Sequence, residues 1–343
     1  MRAAQTLTLD STVIVDVPDP VCGPGEVVCR VVASATCGSD VLGWYVSRKL
    51  PAILGHEPVG EVVETGAGVD RVAPGDLVAI HHHASCGACR VCASGHETLC
   101  DRFRSTRLDP GGFAEYVRIQ PELVPELLPP NGLDPVTATC TEPLACALRA
   151  QDRVGLAPGD ALLVVGAGTS GLLHIAAARA RGVERVLAAE PRPDRLERAL
   201  AWGAEPCEAV PITAGDAAAA KRHGDAMTGE AGPVDVAIVT SHHPEAIAAA
   251  AAALGPGGRL CAYAPPEPAS PIAVDGSGVF LRELTVTASW SAGAADMRAA
   301  LALLQSGAVR AGELITHRFP LEQTGAALAA QRDGTALKAV VLP

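Results

Sequence analysis

Along the first 36 residues apolar and polar positions alternate, as in T-V-I-V-D-V and E-V-V-C-R-V-V-A. A period of two sends successive side chains to opposite faces of a strand. Pro18, Pro20, Gly23, Pro24 and Gly25 separate the two runs, so the segment predicts antiparallel strands joined by tight turns. The stretch P-V-G-E-V-V-E-T-G-A-G-V-D-R-V-A-P-G-D-L-V-A-I repeats the pattern of strand, turn and strand. Residues 108–118 add a turn and a further strand. A small, barrel-like β domain is the expected context.

From Thr137 the pattern becomes helical, in T-A-T-C-T-E-P-L-A-C-A-L-R-A. Beyond it, short apolar runs alternate with apolar helices. A-L-L-V-V (161–165), R-V-L-A-A ending at Glu190, V-D-V-A-I-V-T (234–240), G-G-R-L-C-A-Y-A (257–264) and L-T-V-T-A-S-W (284–290) predict strands of a buried parallel sheet. The tail reads as a helix, the strand I-T-H-R-F-P-L, a second helix and the strand K-A-V-V-L. It is expected to rejoin the first domain. The chain of 343 residues is thus an α/β protein of two domains, 1–144 with 289–343, and 145–288.

With 48% hydrophobic residues the chain is globular. No apolar run approaches the roughly 20 residues of a membrane span, and the N-terminal stretch carries no signal-peptide pattern. A cytoplasmic protein is expected. The net charge of −11 argues against nucleic acid as a partner, which demands a basic stripe, and leaves a small-molecule substrate. Eleven cysteines in a reducing compartment suggest metal ligands and buried thiols. Cys140, Cys146, Cys207 and Cys261 lie in apolar stretches and read as inert buried thiols.

Candidate chemistry concentrates in three places. Cys86, Cys89, Cys92 and Cys100 have the spacing C-x2-C-x2-C-x7-C, which lets four thiolates wrap one tetrahedral zinc in a closed structural site. An iron–sulfur run of the bacterial type has a shorter last gap followed by Pro, whereas Asp101 follows Cys100. The adjoining His81, His82 and His83 read as strand-end residues, one or two of them exposed. Second, C-G-S-D at 37–40 and G-H-E at 55–57 bring a thiolate, a hydroxyl, an imidazole and two carboxylates close in sequence. Cys37 and His56 are natural zinc ligands, and Glu57 is a third ligand or a gate. Glu142, before Pro143 in the first turn of a helix, is a dipole-favoured carboxylate, a ligand, or the holder of a metal-bound water. Third, G-A-G-T-S-G at 166–171 follows a strand, opens a helix and precedes an acid, Glu190, by about 20 residues. Gly166, Gly168 and Gly171 allow a tight turn and close approach of a pyrophosphate to the helix N-terminus. Glu190 favours ribose hydroxyls over a 2′-phosphate, hence NAD over NADP, while Arg192 and Arg195 keep NADP open.

Taken together, C-G-S-D, P-A-I-L-G-H-E-P-V-G-E-V, the four-cysteine lobe, D-P-G-G-F-A-E-Y, T-E-P-L-A-C-A-L, the glycine fingerprint and I-T-H-R-F-P-L resemble the zinc-dependent medium-chain dehydrogenase/reductase (alcohol dehydrogenase) family, in its polyol (sorbitol-type) and threonine dehydrogenase branch. The resemblance runs over essentially the whole chain. It implies a mostly-β GroES-like catalytic domain and a Rossmann, doubly wound parallel sheet. It implies two zinc ions, one catalytic and one structural, an NAD cofactor, and a homodimer or homotetramer. By the same resemblance Cys37 and His56 hold the catalytic zinc, with Glu57 a direct or alternating ligand and Glu142 another ligand or the holder of zinc's water. Ser39 passes on the substrate proton, and Asp40 fixes the tautomer of His56. Thr169, Ser170, Arg195 and Thr240 join the glycines and Glu190 around the cofactor, and Lys338 contacts its pyrophosphate. Hydride transfer between a secondary alcohol and NAD is the implied reaction, on a polyol, sugar, cyclitol or amino sugar. A threonine-type amino alcohol and a non-catalytic NAD-binding protein are the alternatives. One position departs from the family: Leu42 stands where relatives carry a relay histidine. Trp44 and Tyr45 lie in the same divergent segment.

Overall fold

The computed structural model describes residues 1–207, 217–229 and 232–343. The chain divides into two compact units, Met1–Ala145 with Ala292–Pro343, and Cys146–Ser291.

The first unit is mostly strand. β1 (Arg2–Thr8) and β2 (Ser11–Asp16) form an antiparallel hairpin. β3 (Val27–Ala35) follows, then the short β4 (Ala52–Ile53), which pairs with β1. β5 (Glu57–Thr65), β6 (Leu77–Ala79) and β7 (Tyr116–Ile119) complete the N-terminal set. β3 is the hub, pairing antiparallel with both β5 and β7. Val27, Cys29 and Val31 face a core of Val62, Val78, Ile80, Val117, Ile119 and Leu127, while Arg30 turns outward to an ion pair with Glu61 opposite.

The second unit is a parallel sheet made of β8 (Ala161–Val165), β9 (Arg185–Ala189), β10 (Glu205–Pro206), β11 (Val234–Val239), β12 (Leu254–Ala262) and β13 (Thr285–Ala288). The strand order is β10-β9-β8-β11-β12-β13, every pairing parallel. The order reverses between β8 and β11, and ligands of such sheets bind at the strand ends beside that switch point. β8 is buried throughout, as its unbroken apolar run predicts. β12 starts three residues before the expected Gly257.

The tail rejoins the first unit. β14 (Ile315–Pro320) runs parallel to β15 (Lys338–Leu342), and β15 pairs antiparallel with β3. No helix among the described residues is long and apolar enough to cross a membrane. All eleven cysteines are free; Cys140, Cys146 and Cys261 are buried, whereas Cys207 is only half-buried, at the end of the short β10 where the strand supplies little cover.

His174, in the helix Thr169–Ala180, gives the second unit a pH dependence. It is 0% exposed, neither ring nitrogen has a hydrogen bond, and Tyr263 stands edge-on 4.7 Å away. Burial pushes its pKa down to about 3, whereas an unfolded imidazole titrates near 6.5. The folded state therefore holds fewer protons than the unfolded state in acid. Stability falls as pH drops below about 6.5, by about 1.4 kcal/mol per unit, until the folded group itself titrates. The variant His174→Leu is expected to flatten the acid limb by that slope between about pH 6 and pH 5. Urea unfolding of both proteins across this range measures it, and identical slopes would refute the assignment.

Candidate active site and metal centres

The register of three strands builds one corner of the first unit. Ala35 lies opposite Glu57 across β3 and β5, and opposite Val340 across β3 and β15. The segment leaving β3 (Thr36, Cys37) therefore runs beside the one entering β5 (His56, Glu57), and Lys338 lies at the same end. Cys37 precedes a single 3-10 turn, Gly38–Asp40. Asp40 closes that turn: Oδ2 accepts from the Cys37 N–H at 3.0 Å, and Oδ1 lies 3.2 Å from His56 Nδ1. Burial works to raise the Asp40 pKa, but His56 and the Cys37 N–H outweigh it and hold it below the usual carboxylate value. An ionised carboxylate at Nδ1 keeps the ring proton there and leaves Nε2 as the ligand nitrogen. The Ser39 hydroxyl lies 3.4 Å from Nε2.

Cys37, His56 and Glu57 each offer one ligand atom, and the three lie within 4.8 Å of one another. A thiolate, an imidazole and a carboxylate suit zinc, and three protein ligands leave a fourth position open. Glu57 tests the fit. It is 1% exposed, and neither carboxylate oxygen makes a well-formed hydrogen bond. A buried carboxylate in that condition calls for cations. Lys338, 2% exposed, provides one through an ion pair, and its ammonium also donates to the Thr36 carbonyl at 3.0 Å. Burial pushes Glu57 up to about 7, against the pull of Lys338 and with the push of Glu142. Glu142 is buried in the first turn of the helix Thr141–Arg153 and shares this electrostatic environment.

The Lys338 ammonium is turned inward onto Glu57 and Thr36, because β15 joins β3 antiparallel and carries it to the metal corner. The expectation for the histidine run is corrected, since none of the three is exposed. His81 is fully buried, with both nitrogens unbonded, and His83 Nδ1 donates to the Thr106 carbonyl at 2.9 Å. His82 is half-buried, its ring 5.0 Å from that of His56 and 4.1 Å from that of His83. Burial pushes His81 down to about 3 and His83 to about 4. Trp44 and Tyr45 meet edge to face at 5.6 Å, each capped by a cation, Arg48 at 5.3 Å and Lys49 at 4.0 Å from the ring centres.

The four-cysteine lobe is assembled. Cys86, Cys89, Cys92 and Cys100 Sγ atoms all lie within 4.8 Å of one another, with Cys86–Cys92 at 3.9 Å and Cys89–Cys92 at 3.5 Å. A tetrahedron with Zn–S bonds of about 2.3 Å has edges of about 3.8 Å, so the sulfurs fit zinc. Burial would raise the Cys100 pKa, yet donors from the Cys86, Phe103 and Arg102 backbone outweigh it and bring it to about 6.

In the second unit, Gly166 leaves β8 with φ +97, and a Cβ there would meet Thr240 Oγ1 at 2.6 Å. A Cβ on Gly171 would meet the Gly166 carbonyl at 1.8 Å, so the fingerprint tolerates no side chain at either position. Gly168 caps the helix that begins with Thr169 and Ser170, presenting first-turn N–H groups suited to an anion. Glu190 is buried beyond β9, its oxygens accepting from the Ala167 N–H (2.7 Å) and the Arg192 N–H (3.0 Å). A Cβ at Gly168 would lie 3.7 Å from the Arg195 guanidinium, which places Arg195 beside the loop. Thr240 braces the glycine loop, its hydroxyl donating to the Val165 and Gly166 carbonyls.

The fold and these two units define a dinucleotide-dependent dehydrogenase with zinc sites. Residues 23–129 match the alcohol dehydrogenase GroES-like domain, and residues 171–306 match the zinc-binding dehydrogenase domain. The sorbitol dehydrogenase of Bacillus subtilis is 31% identical, the alignment covering 100% of this chain and 97% of that protein. The L-threonine 3-dehydrogenase of Pyrococcus abyssi is 34% identical over 89% of this chain and 86% of that protein. Among solved structures, 2R,3R-butanediol dehydrogenase from Bacillus subtilis superposes with a TM-score of 0.83 at 26% identity, covering 100% of this chain and 99% of that one. The chain belongs to the zinc-dependent medium-chain alcohol dehydrogenase family. It is an oxidoreductase acting on CH–OH groups, with zinc and a nicotinamide dinucleotide as its cofactors.

Proposed function

We propose that this enzyme oxidises a secondary alcohol of a polyol, sugar, cyclitol or amino sugar with NAD. The observation that carries the reading is the corner where Cys37, His56 and Glu57 converge with Ser39 beside His56. Cys37, His56 and Glu57 hold the catalytic ion, and Glu142 biases the charge of Glu57 from close by. Bound zinc supplies Lewis acidity toward an alcohol oxygen, and bound nicotinamide supplies the hydride acceptor. Asp40 locks the His56 ring, and Ser39 takes the hydroxyl proton of the substrate and passes it outward. Cys86, Cys89, Cys92 and Cys100 hold the structural ion. Glu190, already fixed by two backbone donors, accepts from the adenosine ribose and disfavours a 2′-phosphate.

A corner rich in buried acid suits hydroxylated or amino-bearing ligands, and the sorbitol and butanediol dehydrogenases among its relatives support the first. A threonine-type substrate is the second reading, supported by the 34% identical L-threonine 3-dehydrogenase. Phe280 and Leu281, 81% and 78% exposed near the open sheet edge at β13, support a homo-oligomer joined through the cofactor-binding unit. The free thiols support a reducing, cytoplasmic setting.

The test is turnover by zinc-loaded protein on polyols, sugars, aminocyclitols, aminoglycosides and threonine, with NAD and NADP in parallel. Reduction of NAD by a hydroxylated ring or chain is expected. Turnover of threonine alone would select the second reading, and no turnover of any of these with zinc and NAD bound would refute both.

A further inference from the structure

We propose that His82 determines specificity by hydrogen-bonding a second substrate hydroxyl, on the carbon next to the reacting one, so that the site selects vicinal diols over simple alcohols. The proposal rests on Cys37 and His56 forming the substrate-side metal site, as argued above. Of the three consecutive histidines, His81 is wholly enclosed and His83 is committed to the Thr106 carbonyl. His82 differs from both: it is half-buried and makes no hydrogen bond to any described residue. Its Nδ1 is enclosed without a partner, so Nε2, on the open side of this half-buried ring, is the nitrogen a substrate hydroxyl can reach. Its ring stands 5.0 Å from that of His56, which sets this imidazole beside a ligand of the proposed metal site. Vicinal oxygens are one carbon–carbon bond apart, which keeps the second beside the first.

The chemistry favours discrimination over mere tolerance. A buried polar group built to meet a substrate hydroxyl is left unmatched by an analogue lacking it, and such sites reject the analogue far more strongly than apolar pockets sort by size. A neutral imidazole carries its proton on either nitrogen, so Nε2 serves a hydroxyl as donor or as acceptor.

The test compares butane-2,3-diol with butan-2-ol, which differ by one hydroxyl, on zinc-loaded wild type, His82→Phe and His82→Gln of equal zinc content. Phe keeps a planar ring against His56 and His83 but removes both nitrogens; Gln restores a donor and an acceptor. The wild type is expected to favour the diol about 100-fold in kcat/KM. The Phe variant should reduce that ratio to about 3-fold, chiefly through KM, and Gln should recover at least about 10-fold. Calorimetric titration of the diol into the NADH-bound enzyme, which cannot oxidise it, should show the same loss and recovery of affinity. An equal fall for both alcohols in the Phe variant would make His82 a packing residue and overturn the proposal. So would a wild type that oxidises both alcohols alike, although the dehydrogenase reading would stand. A wild type that oxidises no alcohol overturns the reading beneath and this proposal with it.

Discussion

Replacing Cys37 with serine is expected to lower kcat/KM at least about 1,000-fold and to remove one of two zinc ions per chain. A factor of this size corresponds to about 4 kcal/mol, within the several kcal/mol that a Lewis-acidic ion contributes. The soft thiolate is the ligand that makes this corner suit zinc, and a neutral serine hydroxyl does not replace it. The remaining pair, His56 and Glu57, offers two ligand atoms, too few for a site that keeps one position open. The four-cysteine lobe does not include Cys37 and should keep its ion. Dinucleotide affinity should hold within about twofold, since the glycine loop and Glu190 belong to the other compact unit. Metal analysis, a cofactor titration and a rate measurement on one preparation decide the matter. Undiminished turnover in the variant would sink the assignment of the catalytic zinc.

The second large effect belongs to Lys338. The variant Lys338→Met keeps the length of the side chain but removes its charge, leaving Glu57 buried without its ammonium. Breaking a buried ion pair on one side costs about 3–5 kcal/mol, because the surviving charge is stranded. In a chain of this size that lowers the thermal midpoint by about 5 °C. The double variant Lys338→Met with Glu57→Gln should recover most of the loss, since a buried pair replaced on both sides is often neutral. Calorimetry of the metal-free proteins tests this without activity as the readout. A single variant as stable as the wild type would show that the pair is not a structural element.

Local pattern made most of the fold legible in the sequence. The alternation in E-V-V-C-R-V-V-A became β3 with Arg30 outward, and A-L-L-V-V became β8, buried from end to end. The glycine fingerprint was readable because its context lies within one strand, loop and helix. The four-cysteine spacing was readable because ligands so near in sequence need little help from the rest of the chain. Long-range placement was not legible. Lys338 sits in the apolar run K-A-V-V-L, and its position there signals burial, but its partner depends on β15 docking against β3. His82 looked like the end of a strand, yet the β5–β6 pairing carries it to His56. Thr240 follows β11, and that its hydroxyl braces the turn after β8 depends on the β8–β11 pairing. The helices Pro193–Ala201, Ala217–Thr228 and Gly276–Leu281 had no counterpart in the sequence reading. The apolar face of the first is short, and the last exposes Phe280 and Leu281, which leaves little periodic signal.

The convergence of β15 on β3 also orders events in time. Cys37, His56 and Glu57 leave the ribosome early, but Lys338 follows only after the whole cofactor-binding unit, which is inserted between them, has been made. During synthesis the N-terminal strands can pair while Glu57 still lacks its ammonium, so that corner must stay hydrated until β15 docks. The nascent chain is therefore expected to reach a stage in which the nucleotide-binding unit has been made whole and the Glu57–Lys338 pair has not yet formed. Chains stalled or cut just before residue 338 should bind dinucleotide while their N-terminal portion remains soft to proteolysis.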